Sequence, residues 1–135
     1  MSKNKGVKIY LVPRTRIPVW IRIQDLNVSV EKRKIGRGRV RILTIKGGEA
    51  AFYPGGGVGV VMPGSNQFWA AFASLKVLKI EDLEGREIVH NYFLCQTCFT
   101  NTGKMIGKPR ETELWARYDA DFQCSVCGHK WSHRI

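Results

Sequence analysis

Cys95-Gln96-Thr97-Cys98 and Cys124-Ser125-Val126-Cys127 are two Cys-x-x-Cys pairs with 25 residues between them. Two thiolates three positions apart on a tight turn can grip one Zn2+, and a second such turn completes a tetrahedron of sulfurs. The spacing predicts that Cys95, Cys98, Cys124 and Cys127 hold a single structural Zn2+ with no open position for water or substrate. Two disulfides, or four unrelated thiols, are the alternative reading. His129 and His133 lie close to the second pair, but four thiolates already fill the shell, so both read as surface or nucleic-acid-facing groups.

Working outward, Glu113 to Gln123 and Lys130 to Ile135 alternate like strands, as a ribbon around two such turns requires. Cys95-x-x-Cys98 with Phe122-Gln123-Cys124-Ser125-Val126-Cys127-Gly128-His129-Lys130-Trp131 resembles the C-terminal zinc ribbon of the transcript-cleavage factor S-II family and of related small RNA polymerase subunits. The resemblance covers about 40 of the 135 residues. In that family an adjacent Asp-Glu pair at the hairpin tip, some eight or nine residues before the third cysteine, reaches the polymerase active site and holds a metal. Trp115-Ala116 stands there in this chain, and Asp119 and Asp121 follow on alternate strand positions. The resemblance implies a ribbon fold and a nucleic-acid machine, not a shared cleavage reaction.

Upstream, period-two alternation dominates and helical periodicity is almost absent. Val7, Ile9 and Leu11 alternate with Lys8, Tyr10 and Val12; Val19, Ile21 and Ile23 with Trp20, Arg22 and Gln24; and Val40, Ile42 and Thr44 with Arg39 and Arg41. Further strands are predicted over 26–30, 50–53, 58–62, 76–80 and 86–94, with a Pro-framed basic loop over 13–18, a long cationic loop over 32–38 and an acidic turn over 81–85. Gly47-Gly48 is a turn signal. Gln67 to Leu75 fits a helical turn or a buried strand equally. The glycine run from Pro54 to Gly59 lacks the phosphate-loop motifs and reads as a bulged turn or tight corner. The expected fold is mostly β: a small β-barrel or sandwich followed by a C-terminal four-cysteine zinc ribbon, arranged as a flexible basic tip (1–6), a basic β domain (7–94) and the ribbon (95–135).

The chain carries 22 Lys and Arg against 11 Asp and Glu, a formal charge of +11. Residues 1–46 hold 13 basic and 2 acidic side chains, residues 47–94 hold 3 and 5, and residues 95–135 hold 6 and 4, which gives +11, −2 and +2. An excess confined to the first third predicts one surface that meets a polyanion. Arg14, Arg16, Arg22, Lys32, Arg33, Lys34, Arg37, Arg39, Arg41 and Lys46 are the candidate nucleic-acid contacts, because guanidinium forks suit phosphate oxygens and local carboxylates are too few to pair with them. Arg117 and Lys130 join them from the ribbon, with Trp115 as a base-stacking platform at the hairpin tip. Trp20, Tyr53, Phe68, Trp69 and Trp131 read first as packing aromatics.

No HExxH, GxSxG or Walker lysine is present, and Glu111/Glu113 and Asp119/Asp121 have no partner histidine or open metal, so no enzyme is expected. No run approaches the ~20 apolar residues of a membrane span and no secretory signal is visible, which predicts a soluble cytoplasmic protein without membrane or small-molecule partners. The expected function is non-enzymatic nucleic-acid binding within a transcription or ribonucleoprotein assembly, with RNA polymerase or the ribosome as partners. A ribosome-associated structural RNA-binding protein, and a protein-interaction or virion subunit packing through 54–64 and 67–75, are the alternatives.

Overall fold

The computed structural model describes residues 5–53, 56–112 and 117–135. The chain divides into two units, Met1–Lys34 with Arg39–Asn91, and Ile35–Gly38 with Tyr92–Ile135.

In the first unit the alternation around Val7, Ile9 and Leu11 builds β1 (Gly6–Leu11), followed by β2 (Val28–Ile35), β3 (Gly38–Lys46), β4 (Glu49–Phe52), β5 (Gly57–Val61), β6 (Trp69–Ala73), a 3-10 turn (Ser74–Lys76), β7 (Val77–Glu81) and β8 (Glu87–His90). One sheet runs β2-β3-β1-β7-β8 and the other β4-β5-β6. Strand β1 is antiparallel to both β3 and β7, with Ile9 beside Leu43 and Ile80. Ile9, Leu11, Leu43, Ile45 and Ile80 from the larger sheet meet Val58, Val60 and Phe72 from the smaller one in a single buried cluster. Each such side chain contributes roughly 1.5–3 kcal/mol by leaving water, and this core holds the two sheets face to face. Of the two expected architectures, the sandwich-like one is present, and among the described residues no barrel closes.

Two expectations are corrected here and one left open is decided. Val19 to Gln24 is not a strand: Ile21, Asp25 and Val28 donate N–H bonds to Pro18, Arg22 and Asp25 in successive turns, which follow from a proline at 18 and leave only Ile21 buried. Lys32 to Gly38 is not a long loop: the strands run on to Ile35 and from Gly38, and Gly36 with φ 59 makes the turn. Gln67 to Leu75 resolves into β6 and the start of the 3-10 turn. The expected tip lies outside the described residues up to 4; Lys5 accepts the Gly47 N–H at 2.7 Å and its ammonium meets Glu49 at 2.8 Å. No helix among the described residues is long and apolar enough to cross a membrane.

The second unit contains β9 (Gly103–Glu111), β10 (Tyr118–Cys124) and β11 (Lys130–Arg134), ordered β11-β10-β9 and antiparallel. Ala120, Phe122 and Cys124 alternate inward on β10. The Phe122 and Trp131 rings stack with centroids 6.0 Å apart, and the Trp131 indole N–H donates to the Tyr92 carbonyl at 2.9 Å. A Cβ on Gly103 would come within 2.4 Å of the Trp131 ring and 2.8 Å of the Phe93 carbonyl, so only glycine fits beneath the indole. Strand β9 was not expected, since Gly107 and Pro109 break its pattern; both are tolerated because β9 is an edge strand. Asp121 receives two bonds from the Arg110 guanidinium (2.6 and 3.0 Å) and one from the Ser132 hydroxyl (2.6 Å), which hold its carboxyl down at about 2. Asp119 reaches Arg134 at 3.5 Å, so this acidic pair serves as cross-strand ion pairing.

Candidate metal centre and cationic cleft

The two Cys-x-x-Cys segments form matching knuckles. The Phe99 N–H donates to the Cys95 carbonyl at 2.7 Å, and the Gly128 N–H to the Cys124 carbonyl at 3.0 Å. Cys95 Sγ stands 3.6 Å from Cys127 Sγ and Cys98 Sγ 3.9 Å from Cys124 Sγ, and all four sulfurs lie within 4.8 Å of one another. Four thiolates around one Zn2+ at ~2.3 Å stand about 3.8 Å apart along the edges of a tetrahedron, so the donor set matches such an ion in number, type and spacing. A disulfide requires S–S contact near 2.05 Å, and all four thiols are free, which removes the disulfide alternative. Three of the sulfurs belong to buried residues. Neither His129 nor His133 belongs to the cluster: His129 stacks on Trp131, and His133 Nδ1 lies 2.7 Å from the Arg134 carbonyl.

The sulfurs sit in unequal fields. Burial pushes the Cys95 thiol up and the Cys98 thiol up to about 12. Burial opposes ionisation at Cys124 too, but the Thr102 hydroxyl at 3.0 Å and the N–H groups of Cys127 and Val126 outweigh it and bring that thiol down to about 6. Thr102 was not foreseen, and no spacing rule marks it. The tip of the β2–β3 hairpin supports the first knuckle: the Arg37 N–H donates to the Cys98 carbonyl at 3.2 Å, and a Cβ on Gly36 or Gly38 would stand 2.9 Å from the Thr97 or Phe99 carbonyl.

In the first unit, Arg14, Lys32, Arg33, Lys34, Arg39 and Arg41 line one cleft of about 570 Å³, with Pro13 and Val40 as its apolar part. No carboxylate and no aromatic ring lines it among the described residues. Arg33 is held bidentately by Glu31 at 2.9 and 3.0 Å, and Arg41 donates to the Thr15 carbonyl at 2.8 Å. Arg14, Lys32, Lys34 and Arg39 are exposed and form no ion pair among the described residues.

The other candidates do not join this group. Arg16 lines a separate depression with Trp20 and Ala71, and Arg22 another with Asp25 and Met62. Lys46 ends β3, while Arg37, Arg117 and Lys130 belong to the second unit, all exposed. Trp115 lies outside the described residues. Comparison with protein-family models, with curated proteins and with solved structures yields no match.

Proposed function

We propose that this chain is a non-enzymatic zinc-ribbon protein that binds nucleic acid through its basic β unit, as a component of a transcription or ribonucleoprotein assembly. The observation that carries the reading is the convergence of Arg14, Lys32, Lys34 and Arg39 on one cleft without carboxylates to neutralise them. Like charges on neighbouring strands repel, and phosphates relieve that repulsion. The Zn2+ supplies cross-linking, not chemistry: closed by four thiolates, it staples an antiparallel sheet too small to fold on its own core. The likeness of residues 122–131 to the S-II ribbon supports the same setting.

The test is anisotropy of the zinc-loaded full chain with duplex DNA, single-stranded DNA and structured RNA across a graded salt series. Binding that weakens steeply with salt supports the reading, because phosphate contacts release counterions. Absence of binding to all three at low salt refutes it.

A second reading, a protein-interaction subunit, draws on the ends of β4 and β6 in the smaller sheet of the first unit. Tyr53, Phe68 and Trp69 are about half exposed there, and Phe68 meets Tyr53 edge to face at 6.1 Å. Sedimentation of a single monomeric species at high concentration counts against self-assembly through that face.

A further inference from the structure

Val12 to Thr15 form a tight turn closed by the Thr15 N–H on the Val12 carbonyl at 3.2 Å, with Pro13 second and Arg14 third. Arg14 has φ 68, a left-handed conformation that turns of this pattern reserve for glycine or asparagine. The turn is over-determined: the Thr15 hydroxyl also donates to Val12, and Arg41 on β3 donates to Thr15 from across the cleft wall. Yet the Arg14 side chain is exposed and makes no hydrogen bond or ion pair among the described residues. A strained backbone that serves no internal contact points to an external one.

Resting on the nucleic-acid reading above, we infer that this cleft grips the phosphodiester ridge of one strand of a double helix, with Arg14 mounted on its turn as a preorganised phosphate fork and Arg41 as the residue that positions it. The composition of the lining selects this ligand. Single strands are held by aromatic platforms on which their bases stack, and among the described residues the cleft has none. A double helix hides its bases and presents phosphates, which need only guanidinium and ammonium donors, while the exposed Pro13 suits the sugar edge. Contacts of this kind carry no base readout, so binding is insensitive to sequence.

Four unpaired cations predict a salt slope of about −3.6 for a duplex, at about −0.9 per phosphate contact. The experiment measures affinity of the zinc-loaded full chain for a short RNA duplex, the DNA duplex of the same sequence and the corresponding single strand, for wild type, Arg14→Gly, Lys34→Glu/Arg39→Glu and the off-cleft control Lys46→Glu. The expected result is tighter binding of a duplex than of the single strand. Arg14→Gly should bind about tenfold more weakly, with a slope shallower by about 0.9 and a melting temperature no lower than wild type, because glycine accepts the positive φ. Lys34→Glu/Arg39→Glu should abolish duplex binding, and Lys46→Glu should change it little. Tighter binding of the single strand, or duplex affinity that survives the cleft variants and falls with Lys46→Glu, overturns the inference while leaving the nucleic-acid reading in place. Failure of wild type to bind any of the three at low salt overturns that reading itself.

Discussion

Phe99 and Gly128 occupy the same place in the two knuckles: each follows the second cysteine of its pair, each has a positive φ (58 and 79), and each donates its N–H to the carbonyl of the first cysteine. One knuckle meets this left-handed requirement with glycine and the other with a buried phenylalanine. Around Gly128 the nearest atom to an added Cβ is Gln123 Nε2 at 3.9 Å, so space is free and only the backbone objects. Gly128→Ala should therefore lower the stability of the zinc-loaded second unit by about 1–2 kcal/mol, and Gly128→Asn by less. Thermal melts of the three forms followed by Trp131 fluorescence check this; equal melting temperatures would remove the shared-geometry argument.

Gly103 presents the opposite situation, because the obstacle there is packing. Gly103→Ala should cost about 1–3 kcal/mol, since the Phe93 carbonyl cannot yield and the indole must. A red-shifted Trp131 emission should accompany the loss, as the Trp131 to Tyr92 hydrogen bond opens.

Metal removal is the third expectation. A strong chelator, or Cys124→Ser, should unfold β9, β10 and β11 while the sandwich core around Ile9, Leu43 and Val60 persists, because in small metal units ion binding and folding are one event. Two-dimensional amide spectra separate the two sets of signals. Dispersed second-unit signals after measured loss of the ion would contradict it.

How much of this was readable beforehand depended on whether a feature is local. The cysteine spacing is a local signature, and the four sulfurs converge as expected. Strands β1, β3 and β7 were legible because each concentrates apolar and β-branched residues, although buried neighbours such as Ile42 and Leu43, or Val77 and Leu78, break the strict alternation. Strand β9 was not, because Gly107 and Pro109 carry loop chemistry into an edge where it is tolerated. The far half of β2 was hidden as well: Glu31 to Lys34 are all exposed and leave no alternation to detect. The cleft was only half visible, since a count of cations finds Arg14 and Lys34 but not that the left-handed turn at Arg14 brings it beside β2 and β3 while Arg22 goes elsewhere.

Tyr10 supplies a pH test. Its hydroxyl donates to the buried Glu81 carboxylate at 2.8 Å, Glu81 meets Lys79 at 2.9 Å, and the Lys79 ammonium lies 4.7 Å above the Tyr10 ring. Burial, and then the bond to Glu81, push the phenol up to about 12. The folded state thus favours the protonated form: this contribution is complete below pH 10 and fades as pH rises from about 10 to about 12. Tyr10→Phe should cost about 1–3 kcal/mol at neutral pH and flatten the alkaline limb of a stability profile. Ultraviolet titration of the wild type should find one late-ionising tyrosine that is missing from the variant.

The four residues Ile35–Gly38 are grouped with the four-cysteine unit although the strands they join begin and end in the other. No single cut of the chain therefore yields both units whole. A fragment starting at Tyr92 would lack the Arg37 amide that caps Cys98 and the two glycines seated against the knuckle's carbonyls. Such a four-cysteine unit is not a cassette that could be moved by joining ends, because part of its support is threaded through the tip of the β2–β3 hairpin.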